Sequence, residues 1–136
     1  MEGINIAATE QTPTVILDPG KRLFEIEGES RPENVHDFYT PIISTLRDYM
    51  KSVDNEFHRD IFMEYPFSAH FKLMYFNSSS AKFISDILFI FKKYYDKGLK
   101  IKIYWYYNDG DEDLRDVGED LAEMTGVPFN YVLVKA

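Results

Sequence analysis

The sequence of 136 residues contains no cysteine. Disulfide bonds, thiolate metal sites and cysteine nucleophiles are therefore excluded, and a reducing compartment is allowed. The longest apolar run, Ile87 to Phe91, is far shorter than the ~20 residues that span a bilayer. The N-terminus lacks the basic start and apolar run of a signal peptide. We therefore expect a soluble, cytoplasmic protein.

Basic residues are scarce as well. Fifteen Lys and Arg stand against 23 Asp and Glu, which leaves a net charge of −8. Binding to a phosphate backbone needs clustered Lys and Arg, and the sequence has no such cluster. The same deficit disfavours anionic membranes. We therefore expect neither nucleic acid nor membrane as a partner, and regard other proteins as the natural partners.

Motifs for cofactors and catalysis are also missing. The glycines form no loop that could cradle a phosphate, and no serine lies in a Gly-x-Ser-x-Gly elbow. The three histidines, His36, His58 and His70, are too far apart for paired metal ligands. We expect no metal, no cofactor and no catalysis. The acids from Asp109 to Asp113 leave one alternative open, a small carboxylate-dependent enzyme, although acids at a helix start also suit its dipole.

Aromatic residues, by contrast, are abundant: ten Tyr and eleven Phe contribute to an aromatic content of 16%. A chain of this length and composition forms one domain with a core rich in rings. We see no linker or repeat, and residues 1–12 read as a loose N-terminal arm. The sequence therefore predicts a single domain over residues 1–136.

Hydrophobic periodicity predicts an α/β fold in the order β-β-α-β-α-β-α-β. The predicted strands are 14–17, 21–27, 67–75, 99–107 and 128–134. The predicted helices are 35–53, 79–97 and 111–125. Pro41 should kink the first helix or mark a later start near Thr40, whereas Asn34 is suited to cap it. Parallel neighbours then give a mixed sheet of about five strands with packed helices.

Alternation along the third strand assigns its side chains to two faces. The residues expected to face the core are Phe67, Ala69, Phe71, Leu73 and Tyr75.

A run of three serines follows Asn77 between this strand and the second helix. Ser and Asn favour N-caps because their side-chain oxygens accept unpaired amide protons. One cap explains one serine or two, so both capping and a further function remain open. A helix N-terminus also suits a phosphate, and Lys82 is one turn beyond Ser78. The segment therefore fits a site of serine phosphorylation.

Phe89 lies in the middle of a polar arc on the helix that follows the serines. At 100° per residue this arc of roughly 120° also contains Lys82, Ser85, Asp86, Lys92, Lys93 and Asp96. Either a neighbouring segment such as the N-terminal arm covers Phe89, or it is an exposed anchor for a partner or a second copy. A homodimer is thus one assembly to test for.

Four stretches together carry a resemblance to a known family: Thr9 to Pro13, Gly28 to Asn34, Tyr75 to Ser80, and Tyr106 to Asp113. In their order and spacing, the chain from about residue 6 to 132 resembles the SiaC family of bacterial regulatory phosphoproteins. These are single domains related to the STAS fold of anti-sigma-factor antagonists.

The resemblance implies a phosphoacceptor directly after Asn77, which is Ser78, and leaves Ser79 and Ser80 as structural caps. It implies a partner switch with a serine/threonine kinase, a metal-dependent serine/threonine phosphatase and a signalling target. In some members that target is a diguanylate cyclase. The residues expected to form the partner surface are Phe89, Glu33, Asn34, Asn108 and Asp109. A constitutive scaffold or oligomerisation domain stays open as a further alternative.

Overall fold

The strands lie side by side in the order of the sequence. The computed structural model describes residues 3–55 and 59–135, and within them it has six strands and four helices. The strands are β1 (Ile4–Ile6), β2 (Thr14–Asp18), β3 (Leu23–Ser30), β4 (Phe67–Phe76), β5 (Ile101–Asn108) and β6 (Phe129–Val134). The helices are α1 (Val35–Val53), α2 (Arg59–Glu64), α3 (Ser78–Asp96) and α4 (Glu112–Thr125).

Over the described ranges the sheet is mixed, as predicted, but it has six strands rather than about five. β1 to β3 are antiparallel neighbours, and β3 to β6 run parallel with helices in the connections. The sixth strand comes from the segment predicted to be a loose arm, so that prediction is wrong for residues 4–6. Ile4 and Ile6 pair with β2 and pack against the core, and these contacts hold residues 4–6 in a strand.

The start of α1 shows how local signals set a helix boundary. Asn34 is the N-cap, because its side-chain oxygen accepts a hydrogen bond from the Asp37 amide at 3.1 Å. The helix begins at Val35 and continues through Pro41, so the alternative of a start near Thr40 is wrong. A short helix, α2, occupies part of the stretch that the sequence pattern left unassigned. His58 lies outside the described residues.

Trp105 of β5 is the centre of the aromatic core. Its ring is 1% exposed, stacks with Phe71 and Phe129, and donates a hydrogen bond from Nε1 to the Leu114 carbonyl at 2.9 Å. Gly118 of α4 passes directly over this ring. A Cβ added at Gly118 would lie 2.5 Å from Trp105 Cδ1, closer than packed carbon atoms come. The approach of α4 to the sheet therefore depends on a glycine in mid-helix.

We expect Gly118→Ala to destabilise the fold by about 1–3 kcal/mol, because the new methyl group overpacks the Trp105 ring. At an exposed helical position a Gly→Ala change would stabilise the fold instead, since Ala is favoured over Gly in a helix by about 1 kcal/mol. Urea unfolding of the variant measures the change. Val117→Ala, at an exposed position of the same helix, is the control, and a stabilised Gly118→Ala protein would contradict this packing.

One irregularity alters the alternation of β4 near its end. Along the β3–β4 ladder Gly28 pairs with Leu73 and Glu29 with Tyr75, so Met74 is an extra residue on β4. Such a bulge shifts the following side chains to the opposite face. Tyr75 is consequently 50% exposed, and the prediction that it faces the core is wrong. Phe76 turns inward in its place and packs edge-on against Trp105.

The bulge has a counterpart on β3, where Gly28 has a φ of +121°. Residues with a side chain rarely adopt this conformation, whereas glycine does so at little cost. The predicted strand 21–27 stops too early, because β3 continues past Gly28. β3 continues to Ser30, which pairs with Phe76.

The face of the sheet opposite Trp105 carries polar and aromatic side chains. His70 stacks on Tyr104 with ring centroids 4.7 Å apart, and its Nδ1 lies 2.8 Å from the Tyr106 hydroxyl. Lys72 and Glu25 form an ion pair at 2.5 Å beside them. Burial lowers the pKa of His70, nearby Lys72 lowers it further, and Glu25 opposes this shift.

Among the described helices, none is long and apolar enough to cross a membrane.

We expect His70 to make the fold sensitive to mild acid. Its pKa is lower in the folded chain than in the unfolded one, so the unfolded chain binds more protons as the pH falls through about 6.5. The contribution of neutral His70 is present above that pH and is lost below it. Urea unfolding at about pH 7.5 and about pH 5.5 should show a smaller loss of stability on acidification for His70→Gln than for the wild type.

His36→Gln, a change of the exposed histidine on α1, serves as the control for this measurement. Equal pH dependence in His70→Gln and the wild type would show that His70 does not contribute.

Candidate functional site at the β4–α3 junction

Three loops meet at the carboxyl-terminal end of the parallel strands, because each loop follows one of these strands. They are the β3–α1, β4–α3 and β5–α4 connections. The carboxyl end of the strands is a common place for binding sites in α/β folds. The residues predicted for the site that fall in these loops or at the adjoining element ends are Glu33, Asn34, Asn77, Ser78, Asn108 and Asp109.

Phe89 is not part of this group. It lies eleven residues after Ser78 on α3, which corresponds to roughly 16 Å along the helix axis. Its side chain is 40% exposed, so the alternative in which another segment covers it is wrong. Its use by a partner stays a prediction.

Asn77 is the residue that starts α3. Its side-chain oxygen accepts a hydrogen bond from the Ser80 amide at 2.9 Å, and Ser78 is the first helical residue. The prediction that Ser79 and Ser80 are the caps is therefore wrong. Since the cap is an asparagine, none of the three serine hydroxyls is needed to begin the helix.

Ser80 instead belongs to a buried set of hydrogen bonds with Ser30 and Tyr39. The Ser80 hydroxyl donates to the Ser30 carbonyl at 3.1 Å and accepts from the Ser30 hydroxyl at 2.9 Å. The Tyr39 hydroxyl lies 2.5 Å from the Ser30 hydroxyl and must donate to it, because the Ser30 proton is already used. Burial raises the pKa of Tyr39, while the neighbouring Ser30 and Ser80 hydroxyls lower it.

This buried set fixes the junction in space. The Asn77 amide also donates to the Ser30 carbonyl, at 3.1 Å, so β3, α1 and the start of α3 meet at one residue. Sequence reasoning missed both Ser30 and Tyr39. Their signal was available in part, since Phe24, Ile26, Gly28 and Ser30 share one alternation and Tyr39 falls on the apolar stripe of α1.

Ser78 and Ser79 have a different environment from Ser80. Both are exposed, and neither hydroxyl has a hydrogen-bond partner within residues 3–55 and 59–135. Met74 and Tyr75, 54% and 50% exposed, precede them in the chain. The junction therefore combines accessible hydroxyls with exposed apolar side chains, which the predicted core position of Tyr75 had concealed.

The charges around the junction favour a negative group. The first turn of α3 contains no acid, and its free amides carry the positive end of the helix dipole. Lys82 pairs with Asp86 at 3.2 Å on the second turn. Arg31, which directly follows Ser30, is half exposed and contacts Glu29 at 3.5 Å. These exposed pairs are weak, so either cation is available to a stronger anion.

We expect the serines of the triplet to differ sharply in their effect on stability. Ser80→Ala should cost about 1–3 kcal/mol, because it removes the acceptor of the buried Ser30 hydroxyl. Ser79→Ala, the matched change one residue away, should stay within about 0.5 kcal/mol of the wild type. Urea unfolding of both variants checks this difference, and equal effects would mean that the buried set does not stabilise the junction.

The acids of the β5–α4 connection line a groove of about 430 Å³ together with Tyr107 and Leu133. Local structure explains several of them. Asp111 caps α4 by accepting from the Leu114 amide at 3.1 Å, Glu112 and Asp113 occupy its first turn, and Glu119 pairs with Arg115. Within the described ranges, no group of three or more His, Asp or Glu is arranged to hold a metal ion.

Fold and junction together define an α/β domain whose distinctive surface is an exposed serine at a strand–helix boundary. The sequence profile of the family described as "SiaC family regulatory phosphoprotein" matches residues 6–134. The chain belongs to this family. The resemblance on which the phosphorylation hypothesis rests is thereby confirmed at the level of the family.

Relatives of known sequence or structure cover nearly the whole chain. An uncharacterized protein of Pseudomonas aeruginosa strain UCBPP-PA14 is 23% identical over 129 residues, which are 95% of this chain and 94% of that protein. The structure of SiaC of Pseudomonas aeruginosa aligns with a TM-score of 0.78 at 22% identity, over 100% of both chains.

A further neighbour is a chain of the crystal structure of the diguanylate cyclase SiaD in complex with its activator SiaC, from the same organism. It aligns with a TM-score of 0.79 at 22% identity and covers 98% of this chain and 99% of that one. At this identity these likenesses establish a shared fold.

Proposed function

We propose that this chain is a non-catalytic partner switch of the cytoplasm, in which reversible phosphorylation of Ser78 controls binding to a signalling target. The target proposed is a diguanylate cyclase, since a structural neighbour is the complex of SiaD with its activator SiaC. A serine/threonine kinase and a metal-dependent serine/threonine phosphatase set the phosphorylation state. Family membership supports a regulatory role. The phosphorylated residue, the kinase, the phosphatase and the cyclase target are our proposal.

The observation that carries the proposal is the unequal placement of the three serines. Ser80 is buried and bonded, whereas Ser78, the first residue of α3, and Ser79 are exposed, and their hydroxyls have no partner within the described part of the chain. A kinase can therefore reach Ser78 without opening the fold. The buried contacts of Ser80 meanwhile keep the acceptor residue in a fixed position.

Phosphorylation would change the surface on which the target docks. A phosphate adds about −1.5 to −2 charges, and the amides at the start of α3 would stabilise it. Exposed Met74 and Tyr75 precede the site and offer a partner apolar contact area. A target bound over these side chains would have to desolvate the phosphate or withdraw. Each ~1.4 kcal/mol of that cost weakens binding tenfold.

We expect the candidate kinase to add one phosphate to the wild type and to Ser79→Ala, and none to Ser78→Ala. Phosphorylated wild type should bind the candidate cyclase at least about tenfold more weakly than before treatment, because the charge is placed on the docking surface. Ser78→Ala should bind equally before and after treatment. Intact-mass spectrometry and isothermal titration calorimetry measure the two effects on the same samples.

Ser79→Ala is the matched control, since it removes a neighbouring exposed hydroxyl of the same helix turn. Stoichiometric phosphorylation of Ser78→Ala would refute the site. Unchanged cyclase binding by the phosphorylated wild type would refute the switch.

A further inference from the structure

The outer side of β6 is an unpaired sheet edge. Within residues 3–55 and 59–135 the sheet ends at β6, and β5 is its single neighbour. The opposite edge is β1, a strand of three residues. β6 has six residues, Phe129–Val134, with no charge and no proline inside it. Natural proteins usually protect long apolar edges by charge, proline or cover, because such edges invite another strand.

The backbone groups that point outward can be identified. The Val134 carbonyl accepts a hydrogen bond from the Asp109 amide at 2.9 Å and so faces β5. Amide and carbonyl of one strand residue point to the same side, and successive residues alternate. The amides and carbonyls of Tyr131 and Leu133 therefore project away from the sheet, ready to pair with an added strand.

The side chains beside this edge set the chemistry of an added strand. Tyr131 and Leu133 point to the helix face, where Arg115 of α4 lies over the Tyr131 ring. Val132 and Val134 point to the opposite face. Leu133 and Val134 are each 42% exposed, so the edge has apolar surface on both faces.

On the helix face, the edge borders the acidic groove. The carboxylates that line it beside Leu133 belong to Asp109, Asp111, Glu112, Asp116 and Glu119. Burial raises the pKa of the Tyr131 phenol, nearby Glu119 raises it further, and Arg115 opposes this shift. A strand placed along β6 would direct alternate side chains toward this groove and the others beside Val132 and Val134.

We propose that β6 is a docking edge for an extended segment of a partner protein in which basic and apolar residues alternate. The segment adds to the sheet as a seventh strand. Its Lys or Arg side chains meet the acidic groove, and its β-branched side chains cover Val132 and Val134. Main-chain hydrogen bonds to Tyr131 and Leu133 supply affinity, and the two side-chain sets supply specificity.

Charge argues against a second copy of this chain at the same edge. A two-fold pairing of β6 with β6 would bring the α4 helices of both copies to the same junction. Each α4 carries six acidic residues and one basic residue. Like charges would then face each other across the new pair, in a protein of net charge −8. A basic segment converts the same carboxylates into attractive contacts.

The test uses a fluorescein-labelled peptide of about eight residues that alternates lysine and valine, a length suited to a strand partner. We expect saturable binding to the unmodified full chain by fluorescence anisotropy, and no binding of the peptide that alternates glutamate and valine. Two further peptides are N-methylated, one on the lysine amides and the other on the valine amides. Methylation on one of these sets should weaken binding about tenfold or more.

The set that matters reports the direction of the added strand. In an antiparallel pair, the residues opposite Tyr131 and Leu133 share their face and would be the lysines; in a parallel pair, the valine amides would point to β6. Hydrogen exchange should also slow at the Tyr131 and Leu133 amides on binding.

Leu133→Pro and Leu133→Ala are the matched protein variants. Proline removes an outward amide that the β5 ladder does not use, whereas alanine shortens the same side chain and keeps the amide. Proline should weaken binding about tenfold or more, and alanine by no more than about threefold. If the proline variant does not fold, the methylated peptides on the wild type decide the question. Ser78→Ala should bind as the wild type does, which separates this edge from the proposed switch.

Three results would overturn the inference. The first is no binding of the lysine–valine peptide. The second is equal binding of the parent peptide and both methylated peptides. Charge, and not main-chain hydrogen bonding, would then account for the binding. The third is a dimer of the free chain in light scattering that Leu133→Pro dissociates, because the edge would then belong to a second copy.

Discussion

The hydrogen bonds that join Ser30, Ser80 and Tyr39 hold the β4–α3 junction of this domain together. The Ser30 carbonyl accepts from the Ser80 hydroxyl and from the Asn77 amide, and the Ser30 hydroxyl bonds both Ser80 and Tyr39. Because these groups are buried, any motion that separates β3 from the start of α3 leaves them unpaired at a cost of about 1–3 kcal/mol each. The junction that presents Ser78 is therefore rigid, although Ser78 itself is in contact with solvent.

The extra residue at Met74 gives this junction its surface. Without it, the alternation of β4 would place Tyr75 in the core and Phe76 outside. The bulge reverses that order, so Phe76 packs on Trp105 while Met74 and Tyr75 are exposed ahead of the serines. Gly28, whose φ is +121°, provides the matching conformation on β3. One inserted residue thus converts the end of a core strand into a binding surface.

The family shares the fold at a low level of sequence identity. SiaC of Pseudomonas aeruginosa has the same fold although most of its residues differ from those of this chain. A fold of this kind depends on the alternation and helical spacing of apolar residues more than on particular side chains, so most positions can change. In this chain the uncharged edge strand β6 lies beside an acidic α4.

Much of the domain could be read from the sequence. The apolar periodicity predicted β2 to β6 and three helices, Asn34 was identified as a cap from its side-chain chemistry, and the motifs around Asn77 and Asn108 indicated the family. These features are local, since capping and periodicity depend on residues within one or two turns. The tertiary structure decided the rest. β1 forms because Ile4 and Ile6 find a neighbouring strand, Tyr75 is exposed because β4 has one residue more than β3, and Ser80 is separated from Ser78 by a contact fifty residues away. Pairings between distant segments leave no periodic signal in either segment, so only the folded chain separates the buried Ser80 from the accessible Ser78 and Ser79.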